Sequence, residues 1–242
     1  MTPPDAPDSS PGPLPVPLPG PLPGPLPGPL LGSGRTADVY ALPDGRVLRR
    51  YRDGLDATTE LAVMARLLEH GYPVPRVWPR GGRHELVMER LSGPTLAEAV
   101  AVGTVSAEAA AAILATLLDR LHAIPARTSA DPADRTLHMD FHPVNVMLTP
   151  HGPVVIDWAT ATEGPPALDR ATSALILAQA AVAMPEFAAL ARAVLPPFLR
   201  LLGPLDPDRI TEARLLRAGN PTLSRPEIAA LDEAVALIAR GG

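Results

Sequence analysis

A polar loop followed by a short hairpin, between residues 137 and 158, constrains the fold of this chain more than any other segment. Asp140 and Asn145 lie in the loop, and Asp157 ends an apolar run that begins after a turn at residues 149–152. Such a turn between two apolar runs predicts an antiparallel pair of strands. Two carboxylates and one amide are therefore expected on a single rigid hairpin.

These three side chains match what phosphoryl transfer requires, namely a group that positions the acceptor hydroxyl and oxygen ligands for a divalent metal ion. Asp140 would position and deprotonate the hydroxyl. The amide oxygen of Asn145 and the carboxylate of Asp157 suit Mg²⁺, which prefers oxygen and keeps several waters. Each residue alone is equally well explained as an ordinary turn or strand-end residue, so the order of all three favours the chemistry.

The composition excludes several other classes of protein. The chain of 242 residues is 46% apolar and has a net charge of −5, which permits a sizeable core and argues against a nucleic-acid or anionic-membrane partner. It has no Cys, and its lack of Lys excludes a Walker-A P-loop and Schiff-base chemistry. Without a signal peptide or a stretch long enough to span a bilayer, a soluble cytoplasmic protein is expected.

The residue pattern predicts three regions in an α+β fold with two lobes. Residues 1–29 repeat Pro-Leu-Pro-Gly and predict a disordered or polyproline-II tail, with a ligand for a proline-binding partner as the alternative. Residues 30–90 predict a small antiparallel sheet with one helix at 57–69. Residues 91–242 predict a mostly helical lobe, interrupted by the polar loop and its hairpin.

Two helix starts in the second lobe are well marked. Ser106 is a candidate N-cap, and Ser224 with Glu227 forms a candidate capping box. After Ser224 the apolar residues repeat at helical spacing as far as Ile238, which predicts one last helix. In all, three or four helices are expected between residues 166 and 240.

The segment 137–158 resembles the catalytic and metal-binding loops of the aminoglycoside phosphotransferase/choline kinase family, a branch of the protein-kinase-like superfamily. The family pattern His-Gly-Asp-Leu-His-Pro-x-Asn is similar to residues 138–145, and its Ile-Asp-Trp to residues 156–158. The resemblance covers about residues 30–240. It implies a protein-kinase-like fold, ATP (or GTP) and Mg²⁺ as cofactors, and a small-molecule hydroxyl as the phosphate acceptor.

The resemblance also implies roles for residues outside the polar loop. Arg49 occupies the place of the family's phosphate-binding Lys, and Glu60 that of its helix partner. His122 and Asp169 match family positions and are expected to be structural. The nucleotide-binding residues implied are those of a glycine-rich turn over the phosphates and of a segment between the lobes that would bind adenine: Gly32, Ser33, Gly34, Met88, Glu89 and Leu91.

The change from Lys to Arg49 leaves two alternatives open. Arg is always charged and can bind phosphate with two donors, but its planar fork is longer and less adaptable than an ammonium group. An active kinase is expected because Asp140, Asn145 and Asp157 are all present; the alternative is a non-catalytic nucleotide-binding module. A protein kinase is disfavoured because no Ala-Pro-Glu segment follows Asp157.

The sequence leaves the acceptor and the oligomeric state open. With only three Phe, three Tyr and two Trp, the chain is poorly supplied for an aromatic cage around a quaternary amine. A polycationic aminoglycoside would instead need an acidic pocket in the helical lobe. The candidate acids are Glu163, Glu186, Asp206, Asp208 and Glu212.

Overall fold

The computed structural model describes residues 28–34, 36–52, 56–79 and 82–241. The predicted tail at residues 1–29 lies outside these ranges except for its last two residues. Gly28 donates its N–H to the Ala41 carbonyl, and Ala41 donates to Pro29, each at 2.9 Å. A Cβ on Gly28 would lie 2.7 Å from the Ala41 oxygen, so the close approach requires glycine. Sheet pairing thus begins two residues before the predicted boundary.

The first part of the chain forms a five-stranded antiparallel sheet. Its strands are β1 (Leu30–Ser33), β2 (Ala37–Leu42), β3 (Arg46–Tyr51), β4 (Val77–Trp78) and β5 (Glu85–Glu89). Their spatial order is β1-β2-β3-β5-β4. The turn at residues 43–45 closes the β2–β3 hairpin as predicted, with positive φ at Asp44 and Gly45. Within this sheet Val39 pairs with both Gly32 and Arg49, so these two residues lie at the same level on either side of β2.

One helix, α1 (Thr58–Glu69), accompanies the sheet, close to the predicted 57–69. The Asp56 carboxylate accepts the Thr58 N–H at 2.8 Å and so satisfies a free donor of the first turn. Met64 and Leu67 are buried on the inner face of α1. Glu60 is buried on the same helix, which places a carboxylate inside the protein.

The second part of the chain is mostly helical. Its helices are α2 (Leu96–Ala101), α3 (Ala107–Leu121), α4 (Pro166–Ala183), α5 (Pro185–Leu202), α6 (Pro207–Ala218), α7 (Arg225–Ala229) and α8 (Leu231–Gly241). The Ser106 hydroxyl caps α3 as predicted, accepting the Ala109 N–H at 3.2 Å. Helix α4 is buried along most of its length and contacts α5, α6 and α8, so it forms the centre of this part.

The end of the chain corrects the prediction of a single last helix. The capping box at Ser224 and Glu227 is present, but it begins the short α7, and α8 starts after Ala230. Helix α7 has no buried residue, whereas α8 buries Leu231 and Ile238. The burial of the α8 face thus begins after a break in the helix that hydrophobic spacing does not reveal. The described chain has five helices after residue 165, more than the three or four predicted.

The polar loop and its hairpin lie between these helices. Strand β6 (Arg135–Leu137) pairs with β9 (Thr162–Gly164), and β7 (Val146–Thr149) pairs with β8 (Gly152–Val155) as predicted. The segment after β5 packs closely on β7: Leu148 donates its N–H to the Pro94 carbonyl at 2.8 Å. A Cβ on Gly93 would lie 2.0 Å from the Leu148 oxygen, so the two parts are held together at a position that only glycine allows.

Within the described ranges, no helix combines the length and the apolar character needed to cross a membrane.

Candidate active site

Arg49 lies between two carboxylates that come from distant parts of the chain. Its Nη1 is 3.2 Å from Glu60 Oε1, and its Nη2 is 2.7 Å from Asp157 Oδ1. The Arg49 residue is only 8% exposed. Burial acts to lower its pKa, but the charges of Glu60 and Asp157 and the hydrogen bond to Asp157 outweigh burial and raise the pKa. The guanidinium therefore stays charged inside the protein.

Glu60 connects three segments around this guanidinium. Its Oε1 also accepts the Trp158 N–H at 3.1 Å, and the Tyr51 hydroxyl donates to its Oε2. Burial raises the pKa of Glu60 to about 7, although the charge of Arg49 and the N–H of Trp158 act to lower it. The predicted pairing of Arg49 with Glu60 is thus present, and it extends to the residue after Asp157.

Asp157 is placed so that a ligand can reach it. Its φ of 65° is left-handed, an uncommon conformation for a residue other than glycine. Arg49 binds one carboxylate oxygen, and the side chain is 41% exposed, so the second oxygen remains available. An uncommon backbone conformation at an accessible carboxylate is typical of functional sites.

Asp140 and Asn145 form a second cluster at the start of the hairpin. The Asn145 Nδ2 donates to the Asp140 carbonyl at 2.9 Å and lies 3.3 Å from the Asp140 Oδ2. This orientation leaves Asn145 Oδ1 as the atom that can bind a cation. The Asn145 carbonyl accepts the Ile156 N–H at 3.0 Å, which fixes Asn145 beside the strand that leads to Asp157.

His138 ties the two clusters together. It is fully buried; its Nε2 lies 3.1 Å from the Ile156 carbonyl, and its Nδ1 lies 3.2 Å from the Asp140 N–H. Nε2 must therefore donate and Nδ1 accept, which is the pattern of a neutral ring. Burial lowers the pKa of His138, although the charges of Asp169, Asp140 and Asp157 act to raise it. The His138 ring thus links the backbone of Asp140 to that of Ile156, the residue before Asp157.

Asp169 fixes the backbone in front of Asp140. It is fully buried and accepts the N–H groups of His138 at 3.0 Å and Met139 at 2.8 Å. His122 Nε2 lies 3.0 Å from the same carboxylate. These contacts hold Met139 at a φ of 64°, where the resembling family pattern has Gly. The contacts of Asp169 and His122 are those of structural residues that brace the loop.

The surroundings of Asp140 keep its carboxylate ionised. Burial favours the neutral form, but His142, His138 and Arg217 outweigh it and lower the pKa of Asp140 to about 2. His142 Nε2 lies 3.6 Å from Asp140 Oδ2, and Arg217 Nη1 lies 3.8 Å from Oδ1. Arg217 is not among the predicted site residues, because nothing in the local sequence distinguishes it from the other arginines of α6.

Asp140 and His142 line a cavity of about 540 Å³ in the helical part. Of the five acids considered for an acidic pocket, only Glu186 is among its lining residues. The other four are placed elsewhere, which corrects that prediction. Glu163 accepts three N–H groups from residues 127–129, Asp206 caps α6, Asp208 is exposed in the first turn of α6, and Glu212 pairs with Arg209.

The predicted glycine-rich turn lies at the exposed edge of the sheet. Gly32 and Ser33 belong to β1, and the Gly34 N–H donates to the Ala37 carbonyl at 2.9 Å. The Ser33 hydroxyl donates to Asp38 at 2.7 Å. A Cβ would fit at both glycines without a contact under 3.4 Å, so the protein's own packing does not require them. Any need for glycine here would come from a ligand.

The predicted adenine segment follows the end of β5. Met88 pairs with Val77 across the sheet, and the Glu89 N–H donates to the Arg76 carbonyl at 2.8 Å. Leu91 follows this strand and is partly exposed. Because the N–H of Glu89 is already bonded, the N–H of Leu91 is the better candidate donor to a base.

Asn145 and Asp157 are the residues whose side-chain oxygens could hold a metal ion. In the described part of the chain, no group of three or more His, Asp or Glu residues is arranged to hold one. Two protein oxygens instead fit an ion such as Mg²⁺, whose remaining ligands are phosphate oxygens and water. The donors present therefore suit a metal that arrives with a nucleotide.

Comparison with known proteins gives a family match and several similar folds. The model of the phosphotransferase enzyme family (APH) matches residues 28–137 and 127–202. No curated protein sequence matches at a significant level.

Three solved structures illustrate the similarity of fold. Aminoglycoside phosphotransferase APH(4)-Ia has a TM-score of 0.61 at 15% identity, over 88% of this chain and 93% of that one. A ternary complex of APH(2")-IIa with streptomycin and ATP has 0.56 at 16%, over 86% and 84%. Choline kinase LicA from Streptococcus pneumoniae has 0.52 at 14%, over 88% and 92%. The predicted α+β fold, with an antiparallel-sheet part and a helical part, is confirmed.

Proposed function

Because the chain belongs to the phosphotransferase enzyme family, we propose that it is an ATP-dependent kinase that phosphorylates a hydroxyl of a small molecule, with GTP as the alternative nucleotide. One observation carries the proposal. Arg49 forms ion pairs with both Glu60 and Asp157. On the adjoining loop, the Asn145 side chain donates a hydrogen bond to the Asp140 carbonyl. A phosphate-binding cation, two candidate metal ligands and a candidate base thus adjoin one hairpin, which is the set of groups that phosphoryl transfer needs.

The nucleotide would lie between residues 30–90, taken as the first lobe, and residues 91–242, taken as the second. Gly32, Ser33 and Gly34 would cover its phosphates, and residues 88–91 would contact the base. ATP is favoured because a solved structure of similar fold is a complex with ATP. Asn145 and Asp157 would hold Mg²⁺, which when bound neutralises charge on the phosphate oxygens.

Asp140 would orient the acceptor hydroxyl and take its proton as transfer proceeds. A carboxylate whose pKa is about 2 is a weak base toward a free alcohol. Phosphoryl transfer has a loose transition state in which the hydroxyl loses its proton late, so positioning by the carboxylate matters more than its basicity. Asn145 steadies this carboxylate by its contacts with the carbonyl and Oδ2 of Asp140.

The second candidate function is a nucleotide-binding protein that does not transfer phosphate, because Arg49 stands where the resembling family has Lys. The contacts of Arg49 weigh against it. Its two terminal nitrogens reach Glu60 and Asp157 at once, so the longer side chain is accommodated by the site. An arginine displaced from the site would not make both contacts.

A test separates the two candidates. The full chain is incubated with Mg-ATP and a panel of hydroxylated metabolites and antibiotics, and mass spectrometry records any gain of one phosphate. Under the kinase proposal, Mg-ATP raises the melting temperature and at least one panel member gains a phosphate. A raised melting temperature with no phosphate leaving ATP supports the non-catalytic alternative, and no change in melting temperature refutes both.

A further inference from the structure

We propose that Gln179 is a positioning residue for phosphoryl transfer: it holds Arg217, and Arg217 in turn orients the carboxylate of Asp140. Gln179 lies in α4 and Arg217 in α6, outside the loop that carries Asp140. Asp140 and Arg217 both line the cavity of about 540 Å³, in which the acceptor hydroxyl would approach. The inference rests on the proposed function and deepens it, because it assigns residues of the helical part a role in the same site.

The carboxylate of Asp140 is contacted on both of its oxygens. Its Oδ2 lies 3.3 Å from Asn145 Nδ2 and 3.6 Å from His142 Nε2, both in the same loop. Its Oδ1 lies 3.8 Å from Arg217 Nη1, a distance that makes an ion pair rather than a hydrogen bond. Within the described ranges, Arg217 is the residue outside the loop with which this carboxylate pairs. Without Arg217, Oδ1 would lose the charge that draws it toward α6.

Arg217 reaches Asp140 from a nearly buried position. Its side chain is only 10% exposed, and its Nε donates to Gln179 Oε1. A long arginine side chain has many rotamers, so a hydrogen bond at Nε restricts the plane of the guanidinium and with it the direction of Nη1. The place of the positive charge beside Asp140 therefore depends on Gln179.

The amide of Gln179 has a single orientation that satisfies both of its ends. Gln179 is fully buried in α4, and its Nε2 donates to the Glu227 carbonyl at 2.7 Å. A carbonyl only accepts and a guanidinium only donates, so a flipped amide would lose both hydrogen bonds. Packing and two partners of fixed polarity thus hold Gln179 in place, which is what a residue that supports a reacting group requires.

This polar network is an expensive way to fill the interior of the helical part. An amide and a guanidinium lose hydration on burial, whereas apolar side chains of similar size would pack there without that loss. The neighbours of Gln179 in α4, Ala178 and Ala180, are indeed buried apolar residues. A network whose outer end lies on Asp140 is explained by a role in transfer. The alternative is that Gln179 only joins α4 to α6 and α7.

The experiment measures ADP released from Mg-ATP by the full chain. The acceptor is the member of the panel of hydroxylated metabolites and antibiotics that gains most phosphate, or water where none does. Gln179→Met keeps the size of the side chain and removes both hydrogen bonds, and Arg217→Gln removes the charge. We expect each to lower kcat about 10-fold, because a misplaced group slows transfer, while the KM for ATP stays within about two-fold. Melting temperatures with Mg²⁺ and a non-hydrolysable ATP analogue show that each variant folds and binds nucleotide.

A double variant tests whether Gln179 acts through Arg217. Arg217→Lys keeps a positive charge beside Asp140 but has no donor at the position of Nε. It should therefore recover part of the kcat that Arg217→Gln loses, and adding Gln179→Met to it should lower kcat by less than about two-fold. A purely structural link between the helices would instead lower kcat by the same factor in both backgrounds.

Two controls match these changes on the same helices. Ser173→Ala removes a fully buried polar group of α4 whose Oγ has no hydrogen-bond partner in the part of the chain that the structure describes. Arg209→Gln changes an arginine of α6 that pairs with Glu212. Both controls should keep the kcat of the unmodified chain. Should Gln179→Met not fold, Gln179→Asn, which shortens the side chain by one carbon, takes its place.

The outcomes that overturn the inference differ from those that overturn the proposed function. An unchanged kcat in the Gln179 variant or in Arg217→Gln overturns the inference while transfer by the unmodified chain keeps the proposed function. An equal loss of kcat from the Gln179 variant with and without Arg217→Lys also overturns the inference. If the unmodified chain releases no ADP with any panel member or with water, the proposed function fails and the inference fails with it.

Discussion

Arg49 and Asp157, 108 residues apart in the chain, are joined by a hydrogen bond of 2.7 Å between Nη2 and Oδ1. The bond connects strand β3 to the residue after the β7–β8 hairpin, so it spans the two parts of the molecule. The positive charge of Arg49 also balances the negative charge of Asp157, the carboxylate proposed to bind Mg²⁺. Entry of a magnesium nucleotide would therefore exchange one cationic partner of Asp157 for another, with Arg49 free to turn toward the phosphates.

Removal of the Arg49 charge should impair transfer more than folding of the nucleotide site. We expect Arg49→Ala to lower kcat/KM by about 10²–10³, the usual loss for a missing electrostatic clamp. Arg49→Lys should recover most of the activity, because an ammonium group can also pair with Glu60 and phosphate. Steady-state kinetics with varied ATP would measure both. Equal activity in Arg49→Ala and the unmodified chain would contradict a role in phosphate binding.

Replacement of Asp140 should affect the transfer step selectively. Asp140→Asn keeps the shape of the side chain but removes the proton acceptor, so kcat should fall by about 10² or more while the KM for ATP stays within about two-fold. A suitable control is Asp119→Asn, since Asp119 is 65% exposed and pairs with Arg170 rather than with a residue proposed to act in transfer. Turnover of Asp140→Asn at the unmodified rate would remove the assignment of the base.

The stability of the nucleotide-free protein should depend on the ionisation of Glu60. Its pKa is about 7 in the folded protein, above the ordinary 4.5, so the folded state retains a proton that the unfolded state has lost between these values. The free energy of unfolding should therefore decrease as pH rises from about 4.5 to about 7, by at most about 3 kcal/mol. Urea denaturation at several pH values would measure it.

Two variants isolate the contribution of Glu60 to that pH dependence. Glu60→Gln keeps an acceptor for the Trp158 N–H but cannot ionise, so its decrease between pH 4.5 and 7 should be smaller than that of the unmodified chain. Glu212→Gln, at a surface pair with Arg209, should retain the full decrease. Parallel curves for Glu60→Gln and the unmodified chain would show that Glu60 does not titrate in this range.

Met139 should tolerate glycine and resist β-branched residues. Its φ of 64° is unfavourable for every residue with a side chain and worst for one branched at Cβ. Met139→Val should destabilise the protein by about 1–2 kcal/mol, whereas Met139→Gly should cost less because relief of the backbone offsets lost packing. Thermal and urea denaturation would compare them. A Val variant as stable as the Gly variant would contradict the backbone explanation.

The sequence predicted the local elements because their signals are local. The β2–β3 hairpin, helix α1, the Ser106 cap and the β7–β8 hairpin all depend on turn residues, caps and spacing within a few positions. The break between α7 and α8 was missed because burial against other helices, rather than local preference, sets it. The family resemblance supplied the site residues, since the order of Asp140, Asn145 and Asp157 is itself a local pattern.

Only the tertiary structure decided which side chains meet. The order of residues in the chain does not reveal that Arg49 bonds to Asp157 or that Arg217 lies beside Asp140. Nor does it reveal that Glu163 accepts the N–H groups of residues 127–129. These contacts depend on how helices and strands distant in sequence pack, and burial then sets the pKa of each group. The sequence thus determined the elements and the chemistry available, and packing determined the charge of the cavity where an acceptor would bind.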